Sequence, residues 1–164
     1  RPGYLRLTTA RVVTNFYEAI NTLTQRPFKS YVQAKPTIAT AKMETGNMKD
    51  GDIAGLAVFQ DPYAYIAVKK ENGLKKLIMV NNDDTISSVP AKKDIVYLRV
   101  TASNDTKEAF FEYSFNNRSF QRLGNTLMMR FNLKIFTGNK FCLFNYPTKE
   151  TGGYVDFDWF TTSF

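Results

Sequence analysis

The sequence predicts an all-β protein, two antiparallel sheets packed face to face as a jelly-roll sandwich. Three observations predict it: helical periodicity is nearly absent, apolar and polar residues alternate at period two over short runs, and turn-forming residues recur between those runs. The chain has 164 residues, 43% hydrophobic and 15% aromatic, enough to bury one sizeable core and too apolar for disorder.

Strands are expected at 4–8, 19–26, 31–41, 53–60, 63–70, 74–81, 94–102, 108–115, 140–146 and 154–161. In the fifth, Ala64, Ile66 and Val68 make one face and Tyr63, Tyr65 and Lys69 the other. In the seventh, Val96, Leu98 and Val100 oppose Ile95, Tyr97 and Arg99, and in the eighth Phe111, Tyr113 and Phe115 alternate with Phe110, Glu112 and Ser114. From Lys140 to Tyr146 apolar residues run almost without a break, as in a strand covered on both faces. Tyr154 to Phe160 alternates again, Val155, Phe157 and Trp159 against Tyr154, Asp156, Asp158 and Phe160. Asp61-Pro62, Asn72-Gly73, Asn82-Asp83-Asp84, Asn116-Asn117 and the stretch 147–153 supply turns, Asn72-Gly73 being the signature of a two-residue hairpin. Residues 87–93, with Pro90 and two lysines, read as a loop, and 120–134 fits either a short helix or an irregular strand. No repeat, low-complexity tract or linker divides the chain, so 1–164 reads as one domain.

The absence of histidine removes the usual general base and zinc ligand. The lone cysteine, Cys142, falls in the apolar strand and reads as a small buried hydrophobe. No apolar run reaches the roughly 20 residues that a membrane-spanning helix needs. A net charge of +7 suits an anionic partner, but motifs for nucleic acid are missing and Lys69, Lys70, Lys75 and Lys76 gather at one hairpin tip as solvated charge. No nucleic-acid partner is expected.

Asp156 and Asp158, two apart on a strand, would stand about 7 Å apart, a separation that paired glycosidase carboxylates also use. Any alternating strand with two acids has that spacing, and a solvent face needs polar residues, so no catalytic residue is assigned. Asp50 and Asp52 around Gly51 fit a tight turn better than a metal loop. Arg26, closing a strand after Gln25, could clamp a carboxylate or bridge to a turn acid, the bridge being the commoner use. If the fifth, seventh and eighth strands share a sheet, Tyr63, Tyr65, Tyr97, Arg99 and Glu112 form one outer face, aromatic rings beside polar tips, as a saccharide requires. The alternative is that this face is covered and its tyrosines are packing.

Several motifs recur in order along nearly the whole chain: Arg1-Pro2-Gly3-Tyr4-Leu5-Arg6-Leu7, Asn21 to Arg26, Asp50-Gly51-Asp52 with Ala54-Gly55-Leu56, Phe59-Gln60, Phe136 to Asn139, Leu143 to Tyr146, and Gly152 to Phe160. Together they resemble the C-terminal concanavalin A-like β-sandwich domain of glycoside hydrolase family 43 enzymes of the β-xylosidase and α-L-arabinofuranosidase type, similar to carbohydrate-binding module family 91. The resemblance implies an upstream five-bladed β-propeller that holds the catalytic acids, and one or two further strands before Arg1. It implies a non-catalytic accessory module that binds xylan or arabinoxylan, or one that packs on the propeller and shapes its active site. No cofactor is required, though similar sandwiches often hold a structural Ca²⁺ near the last strand, where Asp156 and Asp158 would be its ligands. A secreted or periplasmic bacterial location accords with a polysaccharide substrate, and a cytoplasmic one is not excluded.

Overall fold

A computed structural model describes residues 1–30 and 32–164. Its strands are β1 (Leu5–Thr8), β2 (Thr22–Gln25), β3 (Thr37–Glu44), β4 (Asp52–Phe59), β5 (Ala64–Glu71), β6 (Leu74–Asn81), β7 (Asp84–Pro90), β8 (Ile95–Ala102), β9 (Glu108–Ser114), β10 (Gln121–Arg122), β11 (Leu127–Met128), β12 (Lys140–Pro147) and β13 (Tyr154–Ser163). Sheet A runs β1-β13-β3-β8-β9-β10, with β11 also on β9, and sheet B runs β2-β12-β4-β5-β6-β7. Every pairing is antiparallel.

Period-two alternation puts one set of side chains between the sheets. Ala39, Ala41 and Met43 of β3 meet Val96, Leu98 and Val100 of β8 and Phe111 of β9 across from Leu56, Ile66, Leu77, Phe141 and Leu143 of sheet B. At roughly 25 cal/mol per Å² of apolar surface removed from water, this contiguous layer supplies most of the driving force for folding. Gly55 is set by close approach, because a Cβ there would collide with the Ile66 carbonyl of the neighbouring strand.

Two tight hairpins fix the register of β5, β6 and β7. Asn72 and Gly73 both take positive φ, 51° and 75°, as do Asn82 and Asp83 at 49° and 74°. That is the geometry of a two-residue turn whose twist matches the strands it joins. The second hairpin delivers β7, where the sequence suggested a loop over 87–93. β7 is an edge strand, largely exposed, so it carries no apolar alternation, and Pro90 is tolerated at its end because an edge has a donor to spare.

Two other expectations change and one open alternative is resolved. β3 begins after Pro36 and runs on to Glu44, and the expected strand over 31–41 starts at Tyr31, outside the described residues. Residues 120–134 are the irregular alternative: two short strands clip onto β9, followed by a 3-10 turn at Leu133–Ile135. The hairpin lysines are not all free charge, since Lys70 Nζ donates to the Met48 carbonyl at 2.9 Å and Lys75 pairs with Asp94.

Sheet B has a second apolar face. Cys142, Phe144 and Tyr146 of β12 point away from the main core and join Ile53, Ala57, Tyr63, Tyr65, Ala67, Ile78 and Val80. Val13 and Phe16 cover this face, the latter on a 3-10 turn at Phe16–Glu18 capped by Asn15, whose side chain accepts from the Glu18 N–H at 3.2 Å. The continuous apolar run of β12 is therefore explained: it is central in its sheet and covered on both faces.

Candidate functional site

The five residues expected to share one binding face divide between opposite sides of the sandwich. Tyr63 and Tyr65 belong to sheet B and are 2% and 3% exposed beneath Phe16, so they are packing and not a platform. Phe16 meets both rings at 4.8 and 5.3 Å between centroids; Tyr63 Oη donates to Asp83 at 2.6 Å and Tyr65 Oη meets Tyr146 Oη at 3.2 Å. The covering element is the chain's own segment after β1, which sequence periodicity could not position. Burial pushes both phenol pKa values far above their ordinary range.

Tyr97, Arg99 and Glu112 do share a face, the outer side of sheet A, where Arg99 and Glu112 are register partners. Arg99 lies over the Phe120 ring at 3.4 Å and donates through Nε to Thr40 Oγ1 at 3.2 Å. A neighbour there was not foreseen. The β3–β13 register shifts between Phe157 and Trp159, a bulge that reverses the alternation: Trp159 pairs Lys42 on the outer face and Phe160 pairs Ala41 on the inner one. Trp159 thereby comes beside Tyr97, ring centroids 6.0 Å apart and tilted by 43°.

Asp156 and Asp158 are on this face too, but cations occupy them. Asp156 accepts from Arg6 Nε at 2.8 Å and Nη2 at 2.9 Å, a two-pronged contact reinforced by Arg1, and its carboxyl is held below the usual range chiefly by the Arg6 hydrogen bonds. Asp158 accepts from Lys42 Nζ at 2.6 Å. The two carboxylates thus turn their oxygens to separate cations, and among the described residues no three acidic or sulfur-bearing side chains converge on a point. Asp50 and Asp52 are likewise structural: Asp50 accepts from the Gly73 N–H at 3.0 Å and Asp52 from the Lys49 N–H at 2.8 Å. Arg26 makes no bridge to a turn acid among the described residues, while Gln25 donates to Thr162 Oγ1 at 3.2 Å.

A cluster of exposed apolar side chains lies on the loop joining β11 to β12. Phe131, Leu133 and Phe136 are 61%, 73% and 78% exposed within six residues, and the two phenylalanine rings meet edge to face at 6.3 Å. Three large apolar side chains thus face solvent on one short loop. The sequence signal was present as apolar residues without a period, and reads as core when the loop is taken for an element.

Two antiparallel sheets with these pairings define a concanavalin A-like β-sandwich. The family of β-xylosidase C-terminal concanavalin A-like domains matches residues 1–163, and the chain belongs to that family, the non-catalytic C-terminal part of glycoside hydrolase family 43 enzymes. A β-xylosidase of Formosa agariphila is 29% identical over 98% of this chain and 30% of its own length. Among solved structures, a bifunctional GH43-CE protein of Bacteroides eggerthii matches 99% of this chain and 21% of its own at 37% identity and a TM-score of 0.93. A GH43 glycoside hydrolase engineered to display both endo-xylanase and exo-arabinofuranosidase activity matches 98% of this chain and 34% of its own at 28% identity and a TM-score of 0.87. The chain thus spans about a fifth to a third of the length of these relatives. No helix among the described residues is long and apolar enough to cross a membrane.

Proposed function

We propose that this chain is the accessory sandwich of a secreted or periplasmic family 43 glycosidase acting on xylan or arabinoxylan, and that it docks on the catalytic β-propeller through the loop carrying Phe131, Leu133 and Phe136. The exposure of those side chains carries this reading. Each would strand its apolar surface in water if the sandwich worked alone, and burying one fully is worth about 1.5–3 kcal/mol. The relatives' length, mostly outside the matched region, supplies a covering body. The test mixes this chain with a separately produced propeller in sedimentation velocity. Association is expected for the parent chain and is expected to be lost for Leu133→Ser/Phe136→Ser; unchanged association in the double variant overturns the docking surface.

The Tyr97–Trp159 pair favours a second reading, that the outer face of sheet A binds xylan chains directly. Affinity electrophoresis against xylan tests it: retardation removed by Tyr97→Ala or Trp159→Ala supports it, and migration indifferent to xylan eliminates it. Tyr63 and Tyr65 belong in no such experiment, because their replacement opens the core.

A further inference from the structure

At the end of the sandwich where β12 begins, three loops enclose a cleft of about 880 Å³. Residues 26–30 supply Arg26, Phe28 and Lys29, the β8–β9 loop supplies Asn104 and Lys107, and the loop before β12 supplies Arg130, Phe131, Thr137 and Asn139. Four cations line it and no carboxylate does. None of Arg26, Lys29, Lys107 and Arg130 pairs with an acid among the described residues; Lys76, Lys92 and Arg118 lack one too, but these four share one cleft. Lys107 donates only to the neutral Asn104 amide oxygen at 2.8 Å, and Lys29 lies 4.2 Å over the Phe164 ring. Gathering four like charges in one cleft without a counter-charge costs stability, and an anionic ligand removes that cost.

We propose that this cleft binds a uronate carried on an otherwise neutral glycan. Arg26 and Arg130 offer planar forks that match a carboxylate, and Phe28 and Phe131 offer ring faces for the C–H face of a sugar. Thr137 and Asn139 add hydroxyl and amide groups suited to sugar hydroxyls, Asn139 Oδ1 being without a partner among the described residues. The volume lies within the range of small-molecule sites, and a pocket at a sandwich end lacks the long cationic track that a nucleic-acid backbone requires. The cleft shares Phe131 with the proposed docking loop, whereas Leu133 and Phe136 do not line it, so a docking failure in Leu133→Ser/Phe136→Ser and a loss of sugar preference in Arg26→Gln/Arg130→Gln are read separately.

The experiment is calorimetric titration of this chain with a xylo-oligosaccharide bearing one glucuronate branch, against the matched neutral oligosaccharide. The acidic sugar is expected to bind at least about tenfold more tightly, with a preference that shrinks as salt is raised. Arg26→Gln/Arg130→Gln, its fold checked by circular dichroism, is expected to lose the preference. Lys76→Gln, near the opposite end of the β5–β6 pair, is expected to keep it. Equal or absent binding of the two sugars overturns the proposal, as does a preference that survives the double arginine variant. Competition by inorganic phosphate or single-stranded DNA as effective as that of the acidic oligosaccharide overturns it in favour of a general anion site.

Discussion

Asp156 and Asp52 are both buried carboxylates, yet their ionisation acts on stability with opposite sign. Arg6 hydrogen bonds hold Asp156 below the ordinary carboxylate range, so its contribution is present above the unfolded value of about 3.9 and is lost as pH falls through the lower folded value. Asp52 is raised, first by desolvation and against the Lys49 N–H that lowers it, so the native state prefers its protonated form and loses stability as pH rises through the folded value. Urea unfolding midpoints followed against pH should therefore show Asp156→Asn weaker than the parent at neutral pH and converging on it in acid. Asp52→Asn should instead flatten the loss of stability between acid and neutral pH; two curves parallel to the parent would refute both assignments. Asp52 also explains Gly153 before β13, because a Cβ there would strike its Oδ2 and come within 2.8 Å of the Lys49 nitrogen, while Gly152 is set by its positive φ of 91°. Gly153→Ala should cost about 1–3 kcal/mol, as overpacking does, measured by the same unfolding.

At the scale of elements, the segment bearing Phe16 is the cover of sheet B. Phe16 touches Phe59, Tyr63, Tyr65, Phe144 and Tyr146, with centroids 4.7 to 6.3 Å away. Phe16→Ala should cost about 3–5 kcal/mol and expose the tyrosines, read as a fall in urea midpoint with increased tyrosine accessibility to quenchers. Elements whose partners lie one turn away were legible in the sequence, namely the Asn72-Gly73 hairpin and the alternations of β5, β8 and β9, and β12 was legible from its own unbroken apolar run although its partners β2 and β4 lie far off. What escaped was decided by distant chain or by an edge position. Tyr63 and Tyr65 look like an open face until residues 13–19 are laid over them, and β7 looks like a loop because an exposed edge needs no apolar face. The bulge in β13 reverses Trp159 and Phe160 without any residue that announces it, since its cause is pairing with β3.

Across the whole molecule, the layering of two sheets and one cover shields β12 on both faces, as it does its neighbour β4, and Cys142 reports on it. The thiol is 1% exposed and burial pushes its pKa up to about 12, so the nucleophilic thiolate is scarce and unreachable in the native state. The sandwich was readable from the alternation and the fate of this cysteine from the unbroken apolar run around it, whereas the outer surfaces were not, because which faces stay open depends on packing between distant segments. The paired use of Asp156 and Asp158 shows the same limit: two acids on one strand look alike in sequence, and only the positions of Arg6 and Lys42 assign them to ion pairs. Cys142 lies against the cover and not in the inter-sheet core, so it distinguishes two kinds of opening. Alkylation in native buffer should be negligible and should rise with urea in step with global unfolding. In Phe16→Ala it should acquire an additional phase with weak urea dependence, because loss of the cover admits reagent without separating the sheets. Labelling of the parent chain at the rate of a free thiol would show that the outer face of β12 is open, and with it the covered half of the sandwich would have to be redrawn.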